Sequence, residues 1–204
     1  MKIIICVIAK NEEKYIKDFC EYHLKLGFDE IHIYDNGTDI PINDKRIIIH
    51  PFRNIDCKTP QMLAYKKMLN NTTCDWDWCA FIDIDEFITL KPYTNIHDYI
   101  KSIQIDTDCI SMKEFVYGDD NKIFPDDISV PIYERLTKLS LNPISPYLKY
   151  IVKRATGLYM LNPHIIFHKN NDISLKIYEA KDKITEPFLV INADDFFVIV
   201  FSTL

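Results

Sequence analysis

Residues 3–8 place five β-branched side chains, Ile3, Ile4, Ile5, Val7 and Ile8, around a single Cys6. A run that is apolar at odd and even positions alike has no face to give to water. It must be covered on both sides, as strands of a parallel sheet are. The next segments supply the cover. Residues 12–26 carry Ile16, Phe19, Cys20, His23 and Leu24 at helical spacing, with Asn11 placed to cap and Gly27 placed to stop the helix. Residues 30–34 read as a second strand, closed by the turn Asp35-Asn-Gly-Thr-Asp39. Residues 46–50 read as a third strand. Residues 60–70 read as a second helix with Met62, Leu63, Tyr65 and Leu69 inward, and residues 80–84 as a fourth strand. The alternation predicts an α/β fold with a mostly parallel central sheet flanked by helices, its strands joined by crossovers.

Beyond residue 90 the pattern loosens. A helix is expected over 96–103 and strands over 109–117 and 148–153, with the proline-bearing stretch 118–146 as loops and a short helix around a site. The 204 residues suffice for one sizeable core, so a single domain over 1–204 is expected. A net charge of -6 argues against a nucleic-acid-binding face, yet leaves room for an anionic ligand whose charge a metal offsets. The six cysteines form no C-x-x-C pair and no Cys/His cluster with zinc-finger spacing, so they read as reduced, with Cys6 and Cys79 acting as small hydrophobes. No export signal and no apolar run of membrane-spanning length is present. A cytoplasmic location is expected, with peripheral contact at the inner face of a membrane left open.

Ligands of such sheets gather at the carboxyl ends of the strands. Three polar clusters fall there: Asn11-Glu12, Asp35-Asn36 and Asp83-Ile-Asp85. The last is the most telling. The apolar run of residues 78–82 delivers Asp83 and Asp85 one residue apart, on the same side if the strand continues. Two such carboxylates need a cation between them or a proton on one. Mg²⁺ or Mn²⁺, completed by phosphate oxygens, suits that pair, and the competing reading is an ordinary acidic turn. Asp35 is placed to accept bonds from a base or ribose, against a plain turn, and Asn11-Glu12 to contact a nucleotide, against a plain helix start. His164 and His168, four apart, share a face on a helix or a strand, and either could be a third metal ligand or a diphosphate partner. The cations of Lys149-Tyr-Ile-Val-Lys-Arg154 and Arg135 could face phosphates, although long charged side chains are usually solvated.

Together these segments resemble glycosyltransferases of the family 2 type with a GT-A fold, and most closely the family 92-like group. The resemblance rests on Ala9-Lys-Asn-Glu12, Glu21-Tyr-His23, Tyr34-Asp-Asn36, residues 61–65 and Phe81-Ile-Asp-Ile-Asp-Glu-Phe87. It continues more faintly in Phe115-Val-Tyr-Gly118, Glu134-Arg-Leu136, Lys149-Tyr-Ile-Val-Lys153 and Asn162-Pro-His164. It implies transfer of a sugar from a nucleoside-diphosphate-sugar to a glycan, lipid or protein acceptor, metal-dependent and with inversion. Carried onto this chain, Asp83 and Asp85 hold metal and donor, Asp35 contacts the nucleoside, and His164 lies near the donor as a metal ligand. An inverting transfer also needs a base for the acceptor hydroxyl; Asp119, Asp120 and Glu134 are the candidates. Residues 1–90 are then the nucleotide-sugar-binding half and 91–204 the acceptor-side half. That second half departs from the family pattern at Asp119-Asp-Asn121 and at Ile191-Asn-Ala-Asp-Asp195, and its apolar end reads either as a genuine strand or as a truncation. Two other readings compete: a non-catalytic nucleotide-sugar binder, and a nucleotidyltransferase, which the acidic, glycine-free loop 10–13 disfavours.

Overall fold

The computed structural model describes residues 1–53, 56–103, 107–118, 129–135, 138–155, 157–168, 177–179 and 196–201. Four strands, β1 (Ile3–Ala9), β2 (Glu30–Asp35), β3 (Ile47–Pro51) and β4 (Trp78–Phe81), alternate with the helices α1 (Ile16–Lys25) and α2 (Pro60–Leu69). Next along the chain come β5 (Glu86–Leu90), α3 (Ile96–Ser102), β6 (Cys109–Gly118), α4 (Ile132–Arg135), β7 (Lys138–Lys153), the hairpin β8 (Leu158–Asn162) and β9 (Ile165–His168), then β10 (Ile177–Glu179) and β11 (Phe196–Phe201). The main sheet runs β3-β2-β1-β4-β7-β6-β11-β5, with β10 added beside the start of β6. Pairs β1–β2, β2–β3, β1–β4, β6–β10 and β6–β11 are parallel; β4–β7, β6–β7 and β5–β11 are antiparallel. The fold is α/β with a mixed, mostly parallel sheet, as the alternation of elements predicts.

The continuous apolar run of β1 is divided by the two-residue period of a strand. Ile3, Ile5, Val7 and Ala9 enter one core with Phe19 and Cys20 of α1 and Ile96 and Ile100 of α3. Ile4 and Cys6 enter the opposite core with Met62, Tyr65 and Met68 of α2 and Met160 and Ile166 of the β8–β9 hairpin. Each fully buried isoleucine contributes about 1.5–3 kcal/mol. Both faces are therefore needed to hold β1 where it is. No helix among the described residues is long and apolar enough to cross a membrane.

Five expectations need correction. Helix α1 starts at Ile16, not 12, because residues 11–15 turn first: the N–H groups of Tyr15 and Ile16 both bond the Glu12 carbonyl at 3.0 Å. Asn11 is no cap; it takes the left-handed conformation at φ 58°, which asparagine tolerates. The fourth strand ends at Phe81, so Asp83 and Asp85 lie in a turn and not on a strand. The stretch 118–146 is not all loop, since β7 begins at Lys138 and pairs with β6. His164 and His168 are not two positions of one helix or strand: His164 sits in the tight turn of the β8–β9 hairpin and His168 at the end of β9.

Candidate functional site

Strand β1 is flanked by β2 on one side and β4 on the other, and the chain reaches them in opposite directions. Crevices that receive ligands in α/β sheets open at such a switch point, beyond the carboxyl ends of the strands. Here the carboxyl ends of β1, β2 and β4 carry Glu12, Asp35 and the turn 82–85. The strand after that turn, β5, lies at the far edge of the sheet. The chain must therefore leave its place beside β1 at the turn.

A buried cation sets the geometry of that turn. Lys149 of β7, 1% exposed, reaches Asp83 Oδ2 at 2.8 Å and Glu86 Oε1 at 3.0 Å. The second Glu86 oxygen, Oε2, accepts the Asp83 N–H at 3.0 Å, and the Glu86 N–H donates to the Asp83 carbonyl at 3.1 Å. From α2, the Gln61 amide donates to Asp83 Oδ1, and the Tyr65 hydroxyl donates to the Ile82 carbonyl at 3.2 Å. Asp83 is thus held from three elements. Lys149 is not the solvated lysine that its sequence context predicts. Burial works against its charge, but the Glu86 and Asp83 carboxylates beside it hold its ammonium above the usual range. Burial first, and then the charge of Asp83, push the Glu86 carboxyl well above its usual value.

Asp85 differs. Its carboxylate has no hydrogen-bonded side-chain partner among the described residues. Burial raises it to about 6, and the charges of Asp83 and Glu114 add to the effect while Lys149 opposes it. Glu12, half-buried, is raised by burial and then by the charges of Asp85 and Asp83. Its own N–H donates to Thr38 Oγ1 at 3.3 Å, which ties the loop after β1 to the loop after β2. Glu114 of β6 is 6% exposed, and its Oε1 has no hydrogen-bond partner among the described residues. That oxygen lies 3.6 Å from His164 Nδ1, which bonds instead to the Leu148 carbonyl at 3.1 Å. With Nδ1 protonated toward the carbonyl, the His164 Nε2 lone pair is free, the arrangement of a histidine ready to ligate. Glu12, Asp83, Asp85 and Glu114 bring four carboxyl groups within electrostatic reach, with Lys149 as the buried cation among them. Such a set favours uptake of a cation.

The residues present fit a divalent ion with oxygen and imidazole donors. Among the described residues the Asp85 oxygens and His164 Nε2 have no side-chain hydrogen-bond partner, and one Glu114 oxygen is buried without one. The ligand atoms of Asp83, Asp85 and His164 do not all lie within 4.8 Å of one another, the separation that a different trio, Glu30, His32 and Cys74, satisfies.

Asp35 locks its own turn. Its Oδ1 accepts the N–H groups of Gly37 and Thr38, each at 2.9 Å, and its Oδ2 accepts Arg53 Nε at 2.8 Å. Burial raises Asp35, but the Thr38 N–H, the Arg53 guanidinium and the Gly37 N–H outweigh it and hold the carboxyl below its usual value. Arg53 also donates to the Thr38 carbonyl at 3.0 Å, and 57% of its side chain is exposed. Asn11 donates its N–H to the Gly37 carbonyl at 3.4 Å, so it lies beside the same loop. Glu134 is exposed on the short α4, whose Ile132 N–H donates to Asp18 Oδ2 of α1 at 2.9 Å. Asp119 and Asp120 lie outside the described residues.

Sequence reasoning missed Gln61, Glu114 and Arg53 as site residues; it offered Lys149 as a phosphate-facing cation and Glu86 as part of the acidic motif, but not the ion pair they form. Glu86 and Gln61 stand inside segments that carry the family resemblance. Lys149 carries a weaker signal, a lysine within an apolar run. Nothing local marks Glu114 or Arg53.

The family model of glycosyltransferase family 92 matches residues 1–187. The chain belongs to glycosyltransferase family 92. A family 92 protein of Ricinus communis is 26% identical over 109 residues, a match that covers 50% of this chain and 19% of the relative. A family 92 protein of Oryza sativa subsp. japonica is 23% identical over 109 residues, covering 50% of this chain and 18% of the relative. The matched part is thus about a fifth of the length of these curated relatives. Among solved structures, S. aureus TarS 1-349 in complex with UDP is similar at a TM-score of 0.46 and 15% identity, over 98% of this chain and 61% of that one. Glucosyl-3-phosphoglycerate synthase from Mycobacterium tuberculosis, in complex with Mn²⁺, UDP and phosphoglyceric acid, is similar at a TM-score of 0.38 and 15% identity, over 75% and 56%.

Proposed function

We propose that this chain is a GT-A-type domain that transfers a sugar from a nucleoside-diphosphate-sugar, UDP-linked in the first instance, to a glycan or lipid-linked acceptor. Transfer in this scheme depends on a divalent cation, Mn²⁺ or Mg²⁺. The observation that carries it is the acidic cluster of Glu12, Asp83 and Asp85 beyond the carboxyl ends of β1 and β4, in a chain of glycosyltransferase family 92. Asp85 and His164 have donor atoms without a side-chain partner among the described residues, and Asp83, fixed by Lys149 and Gln61, holds the turn that presents Asp85. When bound, the ion would polarise the diphosphate and stabilise the charge it gains on leaving.

The remaining roles fall to side chains. Lys149 and Glu86 hold the turn 82–85 in one geometry, so that no reorganisation is needed when donor arrives. The Asp35–Arg53 pair, at the carboxyl ends of β2 and β3, offers the nucleoside a carboxylate edge and a partly exposed guanidinium plane. Inversion at the anomeric carbon requires a base on the acceptor side. Asp119, Asp120 and Glu134 are the groups proposed for that step.

Release of UDP from a panel of UDP-sugars, without acceptor, tests the reading. Slow hydrolysis with Mn²⁺ that stops with EDTA and is lost in Asp85→Asn supports it. Release that ignores EDTA, or that survives Asp85→Asn, contradicts it. Mn²⁺-dependent UDP binding with no turnover of any donor, acceptor present or not, would make the chain a nucleotide-sugar binder instead.

A further inference from the structure

A second cluster of metal-ligating atoms lies at the opposite, amino edge of the same sheet. Glu30 opens β2 and His32 comes two residues later on the same side of the strand. Cys74 comes from the loop between α2 and β4, 42 residues away from His32. The Glu30 Oε2–His32 Nε2 separation is 3.1 Å and the Cys74 Sγ–His32 Nε2 separation is 3.6 Å. All three ligand atoms lie within 4.8 Å of one another.

Those separations have a specific meaning. With Zn–N and Zn–O near 2.0–2.1 Å and Zn–S near 2.3 Å, the edges of a tetrahedron are about 3.3 Å for N to O and about 3.6 Å for N to S. The two separations from His32 Nε2 therefore already match two edges of a tetrahedral site, and the third pair lies within 4.8 Å. We propose that Glu30, His32 and Cys74 form a binding site for a transition-metal ion of the zinc class, with the fourth position open to solvent.

The surroundings fit the role. His32 Nδ1 lies 3.0 Å from His50 Nε2 on the neighbouring strand β3, and the two rings stack at 5.2 Å. That partner fixes the ring with Nε2 turned to Glu30 and Cys74, as the outer contacts of a ligating histidine do. Glu30 turns its other oxygen, Oε1, to Lys2 Nζ at 2.7 Å, which holds the carboxylate in place and leaves Oε2 for the ion. Cys74 is presented by a turn in which Asn71 Oδ1 accepts the N–H groups of Thr73 at 3.0 Å and Cys74 at 3.2 Å. Binding would displace the Cys74 thiol proton to solvent. The set N, O and S selects zinc-class ions over Mg²⁺ and Mn²⁺, which prefer oxygen. An ion there would clamp the loop before β4 to β2, at the far end of α2 from Gln61.

Titration of the whole chain with Co²⁺, under reducing conditions, tests the site. One equivalent should produce tetrahedral d–d bands and a sulfur-to-cobalt charge-transfer band that Zn²⁺ bleaches. Cys74→Ser should remove the charge-transfer band, and Cys57→Ser and Asp85→Asn should leave it. His50→Phe, which touches only the outer contact, should weaken Co²⁺ binding roughly 10–100-fold. Circular dichroism of each variant would confirm that it is folded. Absence of the charge-transfer band at saturating Co²⁺, or its survival in folded Cys74→Ser, would overturn the proposal. The site does not depend on sugar transfer, so it stands or falls independently of it.

Discussion

Lys149→Met removes the buried cation beside the turn 82–85 and keeps the volume of the side chain. Lys149 is 1% exposed and Glu86 3%, so their charges have little water to replace the lost partner. Breaking a buried pair from one side costs about 3–5 kcal/mol, because the other charge stays behind. In a chain of this size that corresponds to a fall in Tm of roughly 6–20 °C. Glu86 is already pushed well above its usual value by burial and by Asp83. Without Lys149 it moves higher still and is protonated as pH falls, so the loss shrinks between pH 8 and pH 5. Removing the stranded charge as well, in Lys149→Met/Glu86→Gln, should restore more than half of the lost stability. Urea denaturation of the wild type, the two single variants and the double variant at both pH values measures each figure. A loss under about 1 kcal/mol, or a double variant no more stable than Lys149→Met, would refute the reasoning.

Three further outcomes come from the same energetics. Asp85 sits at about 6 in the folded chain against 3.8 for the free group. The unfolded chain ionises first as pH rises, so this group costs stability progressively between about pH 4 and 6. Asp85→Asn should therefore stabilise the metal-free protein at pH 7 by up to about 3 kcal/mol and leave it unchanged near pH 4, as read by thermal melts with EDTA. Burial lowers His23 to about 3 from 6.5, while the Phe19 carbonyl 2.8 Å away opposes it. The unfolded chain binds this proton first, so stability present above pH 6.5 is lost as pH falls toward 3, by up to about 5 kcal/mol. His23→Gln should flatten that acid limb in pH-dependent denaturation. Gly27 ends α1 at φ 102°, and a Cβ there would overlap the Asn95 side chain; Gly27→Ala should destabilise by about 1–3 kcal/mol in urea.

The four leading strands and two helices were legible because their apolar periods differ so plainly. Two-sided burial of residues 3–8, the helical spacing of Ile16, Phe19 and Cys20, and the glycine at 27 all point to one arrangement. Asp83 and Asp85 were legible as a pair, yet their conformation was not. A strand and a tight turn both satisfy Phe-Ile-Asp-Ile-Asp-Glu, and only the path of the chain to the far sheet edge decides between them. Lys149 was misjudged because surface exposure is the rule for lysine. Its burial depends on two acids more than sixty residues away, which no local pattern announces. Glu114 and the Glu30–His32–Cys74 trio were hidden for the same reason, since strand pairing and loop packing create them. The hairpin at His164 defeated a periodicity argument, because His164 falls in the two-residue turn and only His168 lies on the strand.

The proposed sugar transfer rests on the acidic cluster drawing in a cation that in turn holds a nucleoside diphosphate. Calorimetric titration of UDP into the protein, with Mn²⁺ and then with EDTA, measures this most directly. The prediction is a saturable heat with Mn²⁺ that disappears in EDTA and in Asp85→Asn. UDP binding of equal strength in EDTA, or in folded Asp85→Asn with Mn²⁺, would contradict it.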